Sequence, residues 1–149
     1  MGSEAAGTIQ NRTGRLIPDD VWGILCCYAE ARNQPYDGIV AVGNVIRERM
    51  KRRMMSDGSV VFTVLAPYQY SWTNTTDGQR THVFGASWES PRMDECARAW
   101  FESEHRVVVP EATHYYADSI PEPWWARANH MVYVAKIGNH VFFREQVVA

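Results

Sequence analysis

The sequence has few cysteines and no long apolar run. Three cysteines occur in 149 residues, and two of them, Cys26 and Cys27, are adjacent. Neighbouring residues on a helix are poorly placed to bridge each other, which argues against a disulfide framework. No stretch approaches the roughly 18 apolar residues of a membrane span, and the first residues lack the apolar region of a signal peptide. We therefore expect a monomeric protein with reduced thiols, synthesised in the cytoplasm without stable membrane insertion.

Motifs for metal and nucleic-acid chemistry are also missing. The chain has five histidines and three cysteines, but neither an HExxH motif nor paired CxxC motifs, so we expect no metal and no cofactor. A net charge of -2 gives no general attraction for a polyanion. The one basic run, "RERMKRRMM", is interpreted as a solvated helix end. We expect no nucleic-acid partner.

Helix signals dominate the chain up to about residue 105. Residues 1–17 lack periodicity and are predicted to form a flexible lead-in to one domain over residues 18–149. Pro18, Asp19 and Asp20 predict the start of a helix that is apolar nearly all round, which is typical of a helix in the middle of a domain. After Pro35 a second helix is predicted, with Asp37 as its cap and a stripe in which Gly43 permits close packing.

A third helix is predicted from Ser90 as N-cap and Pro91 at the first position, with one apolar face. That face carries Met93, Cys96, Ala97, Trp100 and Phe101. Beyond it, "THYY" and "MVYVAKIGNHVFFR" predict short strands, with Gly138 and Asn139 as the two-residue turn of a hairpin. Helices followed by a small antiparallel sheet define an α+β class.

Glu30 is the residue that most needs explaining. Its side chain is predicted to lean back over Cys26 and Cys27 on an otherwise apolar helix. Because burial disfavours the charged form of a carboxyl group, it raises the pKa, and a Glu in such a place can act as a general acid. Alternatively, Glu30 pairs with Arg32, Arg49 or another base and only fixes the packing.

Aromatic residues are numerous, with six Trp, seven Tyr and five Phe. They either fill the core or line a site for flat ligands such as sugar rings. Glycoside cleavage needs an acid to protonate the leaving oxygen and surfaces that stack on sugars. The chain offers both, so a glycosidase is the hypothesis to test.

Several separated motifs resemble those of the SleB-like cell wall hydrolase family. "EAR..PY.G.VAVG.VI..R.K" spans Glu30 to Lys51, and "YQYSW" resembles a Gln-Phe-Ser loop with Tyr70 in place of Phe. "ATHYYAD" and "PWWARANHMVYVAKIGNHVFFR" follow in the family's order. The resemblance runs from Val21 to Arg144. It implies a lysozyme-like, transglycosylase-type domain that cuts the glycan strands of bacterial peptidoglycan.

The resemblance also implies roles for individual residues. The first Glu of the Glu-Ala-Arg motif, Glu30, is then the catalytic acid. The family's Gly-Glu that follows is replaced by Asn33 and Gln34. Since Gln34 can only form hydrogen bonds, a role in orientation survives this change and a role in proton transfer does not.

With one obvious carboxylate, we expect Glu30 to act as acid and then base in lytic transglycosylation, giving 1,6-anhydro products. A hydrolytic muramidase would need a second carboxylate, for which the candidates are Asp37, Asp77, Glu89, Glu111 and Asp118. Substrate-binding residues are predicted at Tyr70, Ser71, Trp72, Tyr115, Trp124 and His140. Core burial, or a structural hydrogen bond in the case of His140, is the competing interpretation.

Two other classes stay open. Cys26 or Cys27 with His114 or His140 could form a thiol peptidase acting on peptide stems, although thiols in an apolar helix are usually inert. A non-catalytic peptidoglycan-binding module is the second. For the enzyme, the expected setting is a phage endolysin or virion lysin, released by a membrane-permeabilising partner such as a holin. A trimmed domain of a longer secreted protein would have the same sequence features.

Overall fold

The computed structural model describes residues 17–66, 70 and 82–146. Helices come first and a three-stranded antiparallel sheet follows, which confirms the α+β class. The elements are α1 (Asp19–Ala31), α2 (Tyr36–Arg52), α3 (Val60–Leu65), α4 (Pro91–Glu102), β1 (His114–Ala117), a 3-10 helix (Trp124–Arg127), β2 (Met131–Ile137) and β3 (His140–Glu145). Of the predicted lead-in, only Ile17 lies within the described residues, and it packs against the core.

Helix α1 is the central helix of the domain, as predicted. Pro18 is its N-cap, and Asp19 and Asp20 lie in the first turn, where negative charge is favourable. The helix contacts α2, α3 and α4, and every residue from Trp22 to Cys27 is buried. Burial on all sides explains why its sequence is apolar nearly all round.

Two glycines let α1 and α2 pack closely against the C-terminal part of α4, which carries the fully buried Trp100. A Cβ atom at Gly23 of α1 would lie 2.6 Å from Trp100 Cδ2, and one at Gly43 of α2 would lie 2.7 Å from Ser103 Cβ. Real side chains do not fit at such distances. The close packing predicted at Gly43 is therefore confirmed, and Gly23 serves the same purpose.

The predicted N-cap of α4 is confirmed, whereas the predicted cap of α2 is wrong. Ser90 caps α4 as predicted, because its Oγ accepts a hydrogen bond from the backbone N–H of Met93 at 3.1 Å. Asp37 does not cap α2, since Pro35 occupies the N-cap position without a side-chain bond. Asp37 accepts a hydrogen bond from Arg106 instead, at 2.7 Å.

Phe101 was predicted on the buried face of α4 but is 48% exposed. Met93, Cys96 and Trp100 follow the spacing of one helical stripe and are buried. Phe101 lies about 100° further round the helix from Trp100, beyond the edge of that stripe.

The basic end of α2 is less solvated than predicted. Arg47 Nη2 donates to Trp100 O at 2.8 Å, Arg49 is buried, and Arg52 Nη1 donates to Glu145 O at 2.6 Å. Only Lys51 and Arg53 of this run of cations are exposed. The other arginines fasten α2 to α4 and to the sheet, so they do not form an open cationic surface.

The sheet has the order β1-β3-β2. The predicted turn at Gly138 and Asn139 is confirmed, and Gly138 has a φ of 57°, a left-handed conformation that glycine adopts without strain. Tyr115 and Phe142 pair across β1 and β3 on the face that packs against the helices. Among the described helices, none is long and apolar enough to cross a membrane.

Candidate active site

Glu30 and Tyr115 form the centre of the site. Glu30 lies near the end of α1 and is half-buried, and Tyr115 lies on the inner face of β1. The hydroxyl of Tyr115 donates a hydrogen bond to Glu30 Oε1. This bond orients the carboxyl group at the junction of the central helix and the sheet.

Tyr70 and Cys26 lie close enough to Glu30 and Tyr115 to interact with them electrostatically, and both are buried. Burial is the largest cause of the raised pKa of Tyr115, and the negative charge of Glu30 raises that pKa further. Burial also raises the pKa of Tyr70; Arg49 opposes that change, whereas Cys26 and Glu30 add to it. Both phenols therefore keep their protons near neutral pH, and Tyr115 remains a donor to Glu30.

His140 lies beside this pair. Its ring centroid is 5.0 Å from that of Tyr115, and the residue is only 6% exposed. Burial lowers its pKa, against the opposing influence of Asp118, so the imidazole is neutral at physiological pH. Within residues 17–66, 70 and 82–146, Nδ1 of His140 has no hydrogen-bond partner. A buried polar atom without a partner is costly, which marks His140 as a group able to accept a further partner.

Arg49 supplies positive charge next to the ring of Tyr70. Its guanidinium carbon lies 5.1 Å from the centre of the Tyr70 ring, and Nε donates to Thr113 O at 2.7 Å. Among the residues that the structure describes, Nη1 of Arg49 has no hydrogen-bond partner. Arg32 Nη1 donates to the carbonyl groups of Tyr28 and Ala29, while Arg49 donates to that of Thr113 and packs on the ring of Tyr70. The alternative in which Glu30 pairs with Arg32, Arg49 or another base stays open.

The predicted binding residues fall in different environments. Tyr115 and His140 adjoin Glu30, whereas Tyr70 is only 1% exposed, which is the core burial considered as its alternative. Trp124, in the 3-10 helix, is 83% exposed and could stack on a ligand. Ser71 and Trp72 lie outside the described residues.

The sequence did not indicate the contacts that Arg49 and Gln34 make near the site. Arg49 was predicted as part of the basic helix end and as one candidate partner of Glu30, and the structure shows it buried against Tyr70. The oxygen Oε1 of Gln34 accepts a hydrogen bond from the backbone N–H of Asn139, 105 residues away in sequence, at 2.8 Å. The replacement of a Glu by Gln34 was a sequence signal, but it did not reveal this partner.

The cysteines are unsuited to nucleophilic catalysis. Cys26, Cys27 and Cys96 are buried and none forms a disulfide. Burial is the main cause that raises the pKa of Cys27, and burial raises the pKa of Cys96 to about 12. Since only the thiolate is a nucleophile, such thiols are inert at neutral pH. These pKa shifts argue against the thiol peptidase.

The candidate second carboxylates lie at the surface. Asp37, Glu89, Glu111 and Asp118 are exposed, and Asp77 falls outside the described residues. Asp37 pairs with Arg106, Glu111 with Arg144, and Asp118 with Lys136. Asp118 is the one whose charge acts on His140. Across the described part of the chain, no group of three His, Cys, Asp or Glu side chains could hold a metal ion.

Comparison with known proteins gives matches over most of the chain. The family model described as Cell Wall Hydrolase matches residues 33–143, a range that begins three residues after Glu30. The spore cortex-lytic enzyme of Bacillus subtilis is 30% identical over 148 residues, covering 95% of this chain and 41% of the relative. The chain therefore spans less than half the length of this curated relative.

Two solved structures share the fold. The catalytic domain of the germination-specific lytic transglycosylase SleB from Bacillus anthracis superposes with a TM-score of 0.65 at 20% identity, covering 85% of this chain and 94% of that one. The catalytic domain of the Bacillus cereus SleB protein gives a TM-score of 0.63 at 21% identity, covering 83% of this chain and 88% of that one. The predicted fold type is confirmed by these two likenesses.

Proposed function

This chain belongs to the cell wall hydrolase family, and from that membership and the geometry around Glu30 we propose that it cleaves bacterial peptidoglycan. The bond cut is the glycosidic bond between N-acetylmuramic acid and N-acetylglucosamine. The observation that carries the proposal is the hydrogen bond from Tyr115 to Glu30 Oε1, made beside the buried imidazole of His140. An oriented, half-buried carboxyl group suits general acid catalysis.

The reaction starts with proton transfer from the carboxyl group of Glu30 to the bridging oxygen. The bond between this oxygen and C1 of the muramic residue breaks, and the N-acetylglucosamine fragment leaves with a hydroxyl group. The charge that develops on the muramic ring is that of an oxocarbenium ion. Tyr115 stabilises the carboxylate formed on Glu30, because its hydroxyl donates to the ionised group.

The second half of the reaction uses the same residue as a base. The Glu30 carboxylate removes the proton from the C6 hydroxyl of the muramic residue, whose oxygen then bonds to C1 and closes a 1,6-anhydro ring. This route needs neither water nor a second carboxylate. The surface positions and ion pairs of Asp37, Glu111 and Asp118 favour it over hydrolysis. Hydrolysis of the same bond, as in a muramidase, is the second candidate.

Substrate contacts are assigned to Tyr115, His140 and Trp124. The neutral imidazole of His140 offers a hydrogen bond to a sugar substituent, and the exposed ring of Trp124 offers a stacking surface. Tyr70, Ser71 and Trp72 belong to a proposed aromatic loop. Substrate binding by these three residues stays a prediction, and Tyr70 is buried.

The proposed setting is an endolysin-type lytic enzyme that acts on the cell wall as a monomer, after release with the help of a holin-like partner. The Bacillus subtilis relative is named for the spore cortex, so cortex is a second possible substrate. Assays on vegetative cell walls and on spore cortex, run side by side, separate these settings.

The decisive experiment is mass spectrometry of the soluble products from purified peptidoglycan. Wild type is compared with Glu30→Gln, and circular dichroism shows whether the variant is folded. Anhydro-muropeptides from wild type alone support lytic transglycosylation, and reducing-end products from wild type alone support a hydrolytic muramidase. Cut stems with intact glycans, or an unaffected Glu30→Gln variant, would overturn the mechanism.

A further inference from the structure

Gln34 is a buried amide on the short connection between α1 and α2. It is 4% exposed, and its Oε1 accepts a hydrogen bond from the backbone N–H of Asn139 at 2.8 Å. Its Nε2 donates to Asn33 Oδ1 at 3.1 Å, and its own backbone N–H donates to Ala31 O at 2.9 Å. The side chain is thus bonded to Asn33 on one side and to the β2–β3 turn on the other, while the backbone of Gln34 is bonded to Ala31 at the end of α1.

The β2–β3 turn leaves room for the side-chain amide of Gln34. Gly138 has a φ of 57°, and a Cβ atom at Gly138 would collide with Gln34 Oε1 and lie 2.7 Å from Pro35 Cδ. A residue larger than glycine would push the turn away from the connection. Two separate features therefore allow the hydrogen bond between Gln34 and Asn139. One is the absence of a side chain at Gly138, and the other is the acceptor oxygen of Gln34.

From Asn139 the contacts lead back to the catalytic carboxyl group. The carbonyl oxygen of Asn139 accepts a hydrogen bond from the backbone N–H of Asp118 at 2.8 Å, which ties the turn to the end of β1. The next residue, His140, packs on Tyr115, and Tyr115 donates to Glu30. Glu30 precedes Ala31, whose carbonyl binds Gln34. The contacts therefore form a closed ring around the junction of α1 and the sheet.

We propose that Gln34 is a positioning residue that locks the β2–β3 turn onto the end of α1 and so holds Tyr115 and His140 at Glu30. The inference rests on the proposed function, since it concerns the geometry of the same site. The amide does not act on the substrate, and its effect passes through Asn139. What position 34 must provide is a hydrogen-bond acceptor. Both Gln and Glu provide one, while an apolar side chain of similar length does not.

The test compares Gln34→Met and Gln34→Glu with wild type. Hydrogen exchange of the Asn139 amide is measured by NMR, and kcat and KM are measured on soluble glycan strands of peptidoglycan. Gln34→Met should raise the Asn139 exchange rate about five- to tenfold, which corresponds to the loss of one hydrogen bond. It should lower kcat at least about tenfold through misplacement of the catalytic groups, with KM within about twofold. In Gln34→Glu, which keeps an acceptor, the exchange rate of the Asn139 amide and kcat should both stay near the wild-type values.

Gly138→Ala provides a second test that leaves Gln34 intact. The added methyl group displaces the turn from the other side, so the exchange of Asn139 should rise and kcat should fall as in Gln34→Met. Gly58→Ala is the matched control, since Gly58 also has a positive φ, 95°, but lies against Arg53. Gly58→Ala should lower the thermal midpoint without changing kcat or the exchange of Asn139.

Several outcomes would overturn the inference. If the exchange rate of the Asn139 amide is unchanged in Gln34→Met, the hydrogen bond does not stabilise the turn. If kcat falls while that exchange rate is unchanged, Gln34 affects catalysis by another route. Failure of Gln34→Glu to restore kcat would exclude the acceptor role. If Gln34→Met does not fold, the Gly138→Ala variant decides instead: a wild-type exchange rate of the Asn139 amide together with a wild-type kcat would overturn the inference. A wild type without turnover would overturn the proposed function and this inference together, whereas the preceding outcomes with an active wild type overturn the inference alone.

Discussion

The hydroxyl of Tyr115 donates a hydrogen bond to Glu30 Oε1, joining the first strand of the sheet to the central helix across 85 residues of sequence. This bond fixes the orientation of the only carboxyl group that the proposed mechanism uses. It also links the sheet, with His140, to the helix that carries the acid.

Removal of the Tyr115 hydroxyl should impair catalysis more than binding. Tyr115→Phe keeps the ring and loses the donor to Glu30, so we expect kcat to fall about ten- to a hundredfold, with little change in KM. Tyr116→Phe is the matched control, because Tyr116 lies on the opposite face of β1 against Trp125 and Phe143. Steady-state kinetics on soluble glycan strands measures both variants. Equal losses in the two variants would count against the special role of Tyr115.

The exposed ring of Trp124 should contribute to substrate binding. Trp124→Ala should weaken binding to peptidoglycan about two- to tenfold, the value of one aromatic stacking contact, without lowering the thermal midpoint. Trp88→Ala is the control, since Trp88 is also exposed but precedes α4. Co-sedimentation with insoluble peptidoglycan, using the inactive Glu30→Gln background, gives the affinities. Unchanged binding in Trp124→Ala would remove this residue from the proposed substrate contacts.

The cysteines should resist alkylation in the folded protein. With a pKa of about 12, Cys96 has a thiolate fraction at pH 8 that is on the order of a thousandfold lower than that of an ordinary thiol. Cys26 and Cys27 are fully buried. Mass spectrometry after iodoacetamide treatment should show no adduct until denaturant is added, and activity should persist. Rapid alkylation of Cys26 or Cys27 with loss of activity would return attention to a thiol peptidase.

The stability of the fold should fall as pH falls from about 6.5 towards 4. Burial, and then the charge of Arg49, lowers the pKa of His114 to about 4. Between the two pKa values the unfolded chain binds a proton that the folded protein does not, so acid favours unfolding in this window. The Oγ1 of Thr113 lies 2.9 Å from His114 Nδ1 and accepts a hydrogen bond from the Glu145 N–H, an arrangement that suits a neutral imidazole.

The measurement for His114 is the thermal midpoint as a function of pH. His114→Gln cannot titrate, so the midpoint should fall less steeply between pH 6.5 and 4 in this variant. His140, whose pKa is also lowered by burial, contributes a fall of the same sign, so some slope should remain. Parallel curves for wild type and His114→Gln would refute the assignment.

Local signals in the sequence predicted much of the fold because they act within a few residues. The start of α1 after Pro18, the Ser90 cap of α4 and the turn at Gly138 all follow from backbone and capping preferences. The prediction for Asp37 was wrong because an exposed carboxylate near a helix start can either cap the helix or pair with a cation. In this protein it accepts a hydrogen bond from the guanidinium of Arg106. Phe101 was misplaced because the width of the buried stripe depends on what α4 packs against.

The sequence by itself determined the α+β class, the central position of α1 and the identity of Glu30 as the acid to explain, since these depend on composition, periodicity and one carboxylate in an apolar run. Only the tertiary structure decided the partners of that site. Tyr115 reaches Glu30, and Asn139 reaches Gln34 from 105 residues away. Contacts between such distant segments depend on how the sheet docks on the helices. Helical and strand periodicity specify which face of an element is buried, but not which residue of another element meets it.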